Sequence, residues 1–370
     1  MRAAALDHGA RGARQEVIPS VPPPPPPLPR PTDAPGCAPP SVPLRLLRLR
    51  SQATGRAREC EAILWGVLPG AREADARRWR VCWRAPAAAP LPSAGALVQV
   101  ALGAAGLAAV QRGTDPVAVQ RLWSLPRVQP GVNLLHTVPV HWLPSEPLQG
   151  LDVSHAFALL WARLPEALRA WFNAIFWEHP QRLWAFLHAP ASLAHHHACR
   201  HGLLRHSLEC ALQAARLSRS DPEADPGVLL LAALLHDVGK AGEYEAWLSP
   251  RAHADPRGPQ SAGLSLRGEL LGHRLTGLEW MAQARARLPA TLAPSEAQAL
   301  AVYHAIHACH APAWVGLRSP RTPEAHYLAS VDALSGHLEL MERLWRQGRA
   351  QGVRHPALQG RQYWPRHTLA

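Results

Sequence analysis

The chain reads as mainly α: a helical bundle over residues 152–346, a small β-rich domain ahead of it over 59–148, and a disordered proline- and arginine-rich tail over 1–58. Three observations predict this. Beyond Asp152 apolar residues recur at helical spacing. Between Glu59 and Ser145 short runs of Ile, Val, Trp and Cys alternate with polar residues and are broken by Pro and Gly. Ahead of both, the run Pro22–Pro27 and further prolines up to Pro43 favour extended polyproline conformations and cannot build a core. Residues 347–370 read as a C-terminal tail.

Taken in order, the tail is either a docking peptide or a disordered leader. Its segment Leu44–Arg50 has leucines and arginines at helical spacing and predicts a short basic helix. Glu61–Leu68, Trp79–Arg84 and Ala96–Leu102 predict strands of a small barrel or sheet. Trp65, Trp79 and Trp83 are either stacking platforms for bases or aromatics of that domain's core. Helices are predicted at Ser154–Leu164, Pro165–Trp177, Gln181–His188, Gly202–Leu217, Val228–His236, Glu269–Leu288, Ser295–His307 and Pro323–Arg346. In the fourth, Arg205, Glu209, Gln213 and Arg216 form a polar stripe opposite Leu204, Leu208, Ala211, Leu212 and Ala215. Thr322 before Pro323 and Glu324 supplies a capping hydroxyl, a proline in the first turn and an acid near the positive end of the dipole.

Composition bounds the function. With 370 residues, 47% hydrophobic and 18% charged, the chain can bury a substantial core. The net charge of +12 suits a phosphate-bearing partner such as nucleic acid, RNA or single-stranded DNA, or reflects an arginine-rich composition. About half of the excess lies in the first 58 residues, so the folded part is only mildly basic. Cys37, Cys60, Cys82, Cys199, Cys210 and Cys309 show no CxxC pair, which fits reduced thiols. With no apolar run long enough to cross a bilayer and no signal-peptide pattern at the start, a cytoplasmic protein is expected.

Lys240 is the only lysine among the 39 Lys and Arg residues, and it stands in His236-Asp237-Val238-Gly239-Lys240. Lysine and arginine are not interchangeable where a compact ammonium must reach a phosphate or a metal-bound carboxylate. Adjacent His and Asp can offer an imidazole nitrogen and a carboxylate oxygen to one divalent ion. Further candidate ligands are His206, His273, the cluster His304, His307, Cys309 and His310, and Asp332. Asp332 falls on an apolar stretch with Leu328, Val331 and Leu334, where a carboxylate needs a cation or donors. No Ser/His/Asp triad or glycine-rich phosphate cradle competes with this set.

These residues resemble the HD superfamily of metal-dependent phosphohydrolases, whose signature is a His, a His-Asp pair and a distant Asp: here His206, His236, Asp237 and Asp332. His196-His197-Ala198 followed by Gly202-Leu203-Leu204-Arg205-His206-Ser207-Leu208-Glu209 resembles the HHAxxGGLLxHTLE signature of two subgroups. These are the YhaM-like 3′→5′ exoribonucleases and the TraI-type (MobH) relaxase domain of conjugative elements. Leu270-Leu271-Gly272-His273 and Arg321-Thr322-Pro323-Glu324-Ala325 are similar to segments of the first subgroup. The likeness spans roughly residues 165–345 and implies an OB-type barrel at residues 59–145.

The resemblance implies hydrolysis of a phosphate ester with one or two divalent ions (Mn²⁺, Mg²⁺, Fe²⁺ or similar). His206, His236, Asp237 and Asp332 would hold the first ion. Asp237 would bridge to a second, held by His273, His304 and His310, with His307 as a substitute ligand. Lys240 would pair with a phosphate oxygen. His195–His197 either line the cleft, which would make His197 a further ligand, or cap it. Three departures stand out, one of them Ala311 in place of the glycine expected after the Cys309-His310 pair. His201 replaces a glycine, so the turn is expected not to take a positive φ freely. Cys309 replaces a histidine, a poor choice for Mg²⁺ or Mn²⁺. The implied function is a nuclease acting on single-stranded nucleic acid; the alternatives are a relaxase-like DNA-processing protein and a degenerate regulatory binding module.

Overall fold

The computed structural model describes residues 43–72, 76–125, 127–148, 150–193, 197–244, 263–308, 319–346, 353–354, 356 and 362–364. The proline tail before residue 43, the histidines at 195 and 196, the Arg251–Ala262 loop, Cys309 and His310 lie outside them.

The β-rich half is a six-stranded sheet curved into a half-barrel. Strands β1 (Leu44–Thr54), β2 (Ala57–Gly66) and β3 (Arg77–Pro86) form an antiparallel meander, and β4 (Leu97–Ala101) pairs with the start of β1. Helix α1 (Ala104–Arg112) leads to two short strands, β5 (Val117–Ala118) and β6 (Arg121–Ser124). β5 runs parallel to β3 and β6 antiparallel to β4. One continuous segment therefore covers both free edges: Val119 N–H donates to Cys82 O and Gln120 N–H to Ala101 O, at 3.0 and 2.8 Å. This segment covers part of the strand edges that would otherwise template aggregation. Alternating inward residues fill the interior, among them Leu46, Leu64, Trp79, Val81, Val98 and Leu122. Trp79 and Trp83 are thus core aromatics, Trp79 Nε1 donating to Gly66 O at 3.0 Å.

Two expectations are corrected. Leu44–Arg50 is the start of β1 and not a helix. Leu44 and Leu46 point inward while Arg48 and Arg50 are exposed, and pairing on both sides to β2 and β4 overrides the helical spacing of the leucines. The boundary expected at 58/59 therefore falls inside β2, because the half-barrel already includes residues 44–58.

The eight predicted helices all form: α2 (Val153–Arg163), α3 (Glu166–Phe176), α4 (Pro180–His188), α5 (Gly202–Leu217), α6 (Pro226–Leu235), α7 (Leu266–Arg287), α8 (Glu296–Ala308) and α9 (Pro323–Arg346). Thr322 caps α9 as expected, and the Asp152, Asp225 and Ser265 side chains also accept backbone N–H groups of the first turn of their helices. α6 is apolar on every face, and nine of its ten residues are buried. Such a helix belongs at the centre of a bundle. It packs against α3, α5, α8 and α9, and each of its five leucines contributes roughly 1.5–3 kcal/mol of burial. The first turns of α5 are buried all round, so Arg205 is buried too, contrary to the expected polar stripe. Val353–Arg354 and Gln362–Tyr363 form a two-stranded antiparallel pair, β7 and β8.

A buried arginine ties the half-barrel to the helical half. The Arg45 guanidinium donates to Thr137 O, Thr137 Oγ1 and Gly95 O at 3.1, 2.6 and 2.8 Å. Burial lowers its pKa to about 9. Among the described residues no helix is long and apolar enough to cross a membrane.

Candidate metal centre

Three elements bring the candidate ligands together. α5 carries His206, with no exposed surface, in its second turn. The central helix α6 ends at His236, and Asp237 (φ −110°, ψ 9°) turns the chain into a short 3-10 segment, Val238–Gly242, that carries Lys240. Asp332 lies in the middle of α9, next to fully buried Leu328 and Val331. An apolar helix that stops at the bundle centre thus delivers the His-Asp pair to a buried place flanked by α5 and α9.

The α5 turn answers the question raised by His201. It adopts φ 64°, the left-handed conformation expected of glycine. The strain is offset locally: its Nδ1 lies 2.6 Å from Leu187 O, and its ring packs on His188 with centroids 5.0 Å apart. The substitution is accommodated without changing the turn.

The donor atoms converge. His206 Nε2 lies 3.1 Å from His236 Nε2, 3.2 Å from Asp332 Oδ1 and 3.5 Å from Asp237 Oδ2. His236 Nε2 lies 3.5 Å from Asp237 Oδ2 and 3.8 Å from Asp332 Oδ1. Bonds of about 2.0–2.2 Å to one ion place neighbouring donors roughly 3–3.5 Å apart, so these separations fit a shared cation. The far nitrogens support that fit. His236 Nδ1 donates to the Ala233 carbonyl at 2.9 Å, which leaves its Nε2 as a bare lone pair in the cluster when the ring is neutral. Two carboxylates and at least one lone pair around a common point are costly unless a positive charge joins them.

Electrostatics follow. Burial lowers the pKa of His206, against the raising influence of Asp332, so the ring stays neutral and able to ligate. Burial alone would raise the Asp237 carboxyl; Lys240 and the surrounding histidines outweigh it and hold the group well below the usual carboxylate range. Lys240 Nζ donates to Asp237 Oδ2 at 2.6 Å, both residues being buried. Cys210, one turn after His206, brings its Sγ within 3.8 and 4.0 Å of the two His206 ring nitrogens. Burial, then Asp332, Asp237 and Glu209, raise its pKa well above the ordinary thiol value, so it stands there as a neutral thiol.

The other oxygen of Asp237 looks toward a second position. His273 Nε2 lies 3.6 Å from Asp237 Oδ1, and its Nδ1 lies 3.2 Å from Glu243 Oε1, an acceptor-only partner. His273 arrives through a break in α7: Gly272 has φ 67° and ψ 173°, a conformation open essentially to glycine alone. The His273 backbone is pressed against the turn that follows Asp237, for a Cβ on Gly239 would stand 1.8 Å from His273 O. His307 is buried in α8 near this position, and its Nε2 has no hydrogen-bond partner among the described residues. Burial, then Arg274 and His273, lower its pKa to about 4. His304 is placed differently: its Nε2 accepts the Arg321 backbone N–H at 3.0 Å, so that nitrogen is occupied.

His197 turns toward α5 and α9 rather than into the donor cluster. Its Nε2 lies 3.3 Å from both Glu209 Oε2 and Ser335 Oγ. Glu209, Ser335 and Glu243 were not singled out as site residues from the sequence. Their signal was helical spacing: Glu209 and Ser335 each follow a candidate ligand by three residues on the same helix face.

The model of the HD domain matches residues 203–336, which hold His206, His236, Asp237, His273 and Asp332. That segment is an HD domain. The chain is also distantly similar to two 3'-5' exoribonucleases named YhaM. It is 27% identical to that of Bacillus licheniformis over 159 residues, 43% of this chain and 46% of the relative. It is 26% identical to that of Bacillus subtilis (strain 168) over the same shares. The chain therefore spans about half the length of the curated relatives it matches. No solved structure matches.

Proposed function

We propose that the chain is a divalent-metal-dependent phosphodiester hydrolase, a nuclease working on single-stranded nucleic acid from the 3′ end. The observation that carries this reading is the meeting of His206, His236, Asp237 and Asp332, drawn from three separate elements, at 3.1–3.8 Å donor separations. It is supported by the HD domain and by the distant likeness to exoribonucleases. A complete donor set argues against a degenerate binding module.

His206, His236, Asp237 and Asp332 would hold the first ion. Asp237 would reach a second through Oδ1, with His273 and His307 beside it. Bound there, divalent ions lower the pKa of water and neutralise charge developing on phosphorus. Lys240 balances the buried carboxylate of Asp237 and offers its remaining N–H donors to a phosphate oxygen. The cluster is walled by apolar residues of α6 and α9, which keep bulk water from screening these charges.

The test is digestion of 5′-labelled single-stranded RNA and DNA with Mn²⁺, Mg²⁺ or Fe²⁺. The parent shortens at least one of them stepwise from the 3′ end. Asp237→Ala loses ion binding and turnover together. Lys240→Arg keeps the ion and loses most turnover, because a planar guanidinium does not reproduce the ammonium's contact. No hydrolysis by folded, metal-loaded parent protein would sink the proposal.

A further inference from the structure

The far side of His206 is built as carefully as the side that faces the donor cluster. Its Nδ1 lies 3.2 Å from Ser335 Oγ, and Ser335 Oγ donates to Glu209 Oε2 at 3.2 Å. Arg205 Nε donates to the other oxygen, Glu209 Oε1, at 2.6 Å. His197 Nε2 stands 3.3 Å from both Glu209 Oε2 and Ser335 Oγ. Arg205, His197 and Ser335 are buried, and the Glu209 side chain is only 22% exposed.

Burying an arginine, a carboxylate, a hydroxyl and an imidazole is expensive unless each is satisfied. His197 adds backbone strain, with φ 49°, and its carbonyl is clamped by the Ala191 N–H at 3.1 Å. The protons can be counted. The single Ser335 hydroxyl proton goes to the Glu209 carboxylate, which only accepts. The Ser335 oxygen then has lone pairs left to accept from His206 Nδ1–H, in competition with Asp332 Oδ1, which lies 3.2 Å from Nε2 and accepts from that nitrogen in the other tautomer. A neutral His206 with its proton on Nδ1 keeps a lone pair on Nε2, the atom 3.2 Å from Asp332 and 3.1 Å from His236.

We infer that Arg205, Glu209, Ser335 and His197 form a positioning relay that fixes the Nδ1–H tautomer of His206 and presents its Nε2 to a borderline divalent cation. This deepens the metal-dependent reading above and rests on it. Ser335 also follows Asp332 by three residues on α9, so the same contact keeps α9 in register with α5. One hydroxyl thereby sets the relation between two candidate ligands that lie far apart in the sequence. Partners of this kind, which hold a ligating imidazole from behind, typically change metal affinity 10–100-fold when removed.

Two readouts test the relay. Nitrogen-15 NMR of histidine-labelled protein reports which His206 nitrogen carries the proton, with or without metal. Titration with Mn²⁺ or Co²⁺ reports affinity. The parent is expected to show His206 protonated at Nδ1. Ser335→Ala and Glu209→Gln are expected to lose that preference and to bind the ion about 10–100-fold more weakly. Ser335→Thr, which keeps the hydroxyl, should stay near the parent in both. If Glu209→Gln fails to fold, Ser335→Ala removes only one oxygen and decides the matter alone. An unchanged His206 tautomer and unchanged affinity in Ser335→Ala overturn the relay, as does an Nε2–H tautomer in the parent. A parent with the Nδ1–H tautomer that Ser335→Ala abolishes, yet with no ion bound at any concentration, keeps the relay and removes the metal-dependent function.

Discussion

At the scale of single residues, His201 shows how a departure from a family pattern is absorbed. A bulky residue at φ 64° is uncommon, and the bond from its ring to Leu187 O holds it there. The same burial lowers its pKa to about 4. The sign follows from proton binding: in the unfolded chain the group titrates near 6.5, so between those values only the unfolded state takes up the proton. Its contribution is intact above pH 6.5, falls as the pH drops toward 4, and is lost below, a total of about 3 kcal/mol. Urea unfolding at pH 7.5 and pH 4.5 measures it. His201→Gly, which suits the left-handed turn and carries no titrating ring, should fold and show a smaller loss of stability on acidification. An identical loss in parent and variant would assign the acid sensitivity to other groups.

At the scale of elements, the break in α7 aims His273. The helix runs through Gly272 only because glycine tolerates φ 67° and ψ 173°. A Cβ there would meet nothing within 4 Å, so the cost of Gly272→Ala is backbone strain, on the order of 1–3 kcal/mol. The substitution should weaken binding of a second ion and leave the first in place, as read by two-step Mn²⁺ titration. Equal loss at both steps would mean that the break serves folding rather than His273. Helices of this kind were legible in the sequence because capping residues and apolar periodicity agree, and each predicted end lies within three residues of the observed one. α1 was not. Its Ala-rich run carries little apolar contrast, and it forms because Gly106 lets it approach Ala118 O closely. β1 was misread since alternate leucines and arginines suit either period, and only pairing to β2 and β4 decides between them.

At the scale of the whole molecule, the chain joins a half-barrel sheet to a helical bundle whose apolar central helix ends at the candidate centre. The four donors were legible in the sequence as chemistry but not as geometry, because nothing in the spacing of residues 206, 236 and 332 says that α5, α6 and α9 share one corner. Glu209 and Ser335 were hidden for a related reason: their role depends on two helices lying side by side. The most direct measurement is anomalous diffraction at the manganese edge from crystals of the whole chain grown with Mn²⁺. The account predicts a peak within bonding distance, about 2.0–2.3 Å, of His206 Nε2, His236 Nε2 and a carboxylate oxygen each of Asp237 and Asp332. Well-ordered side chains with no peak among them, or a peak bound elsewhere, would contradict it.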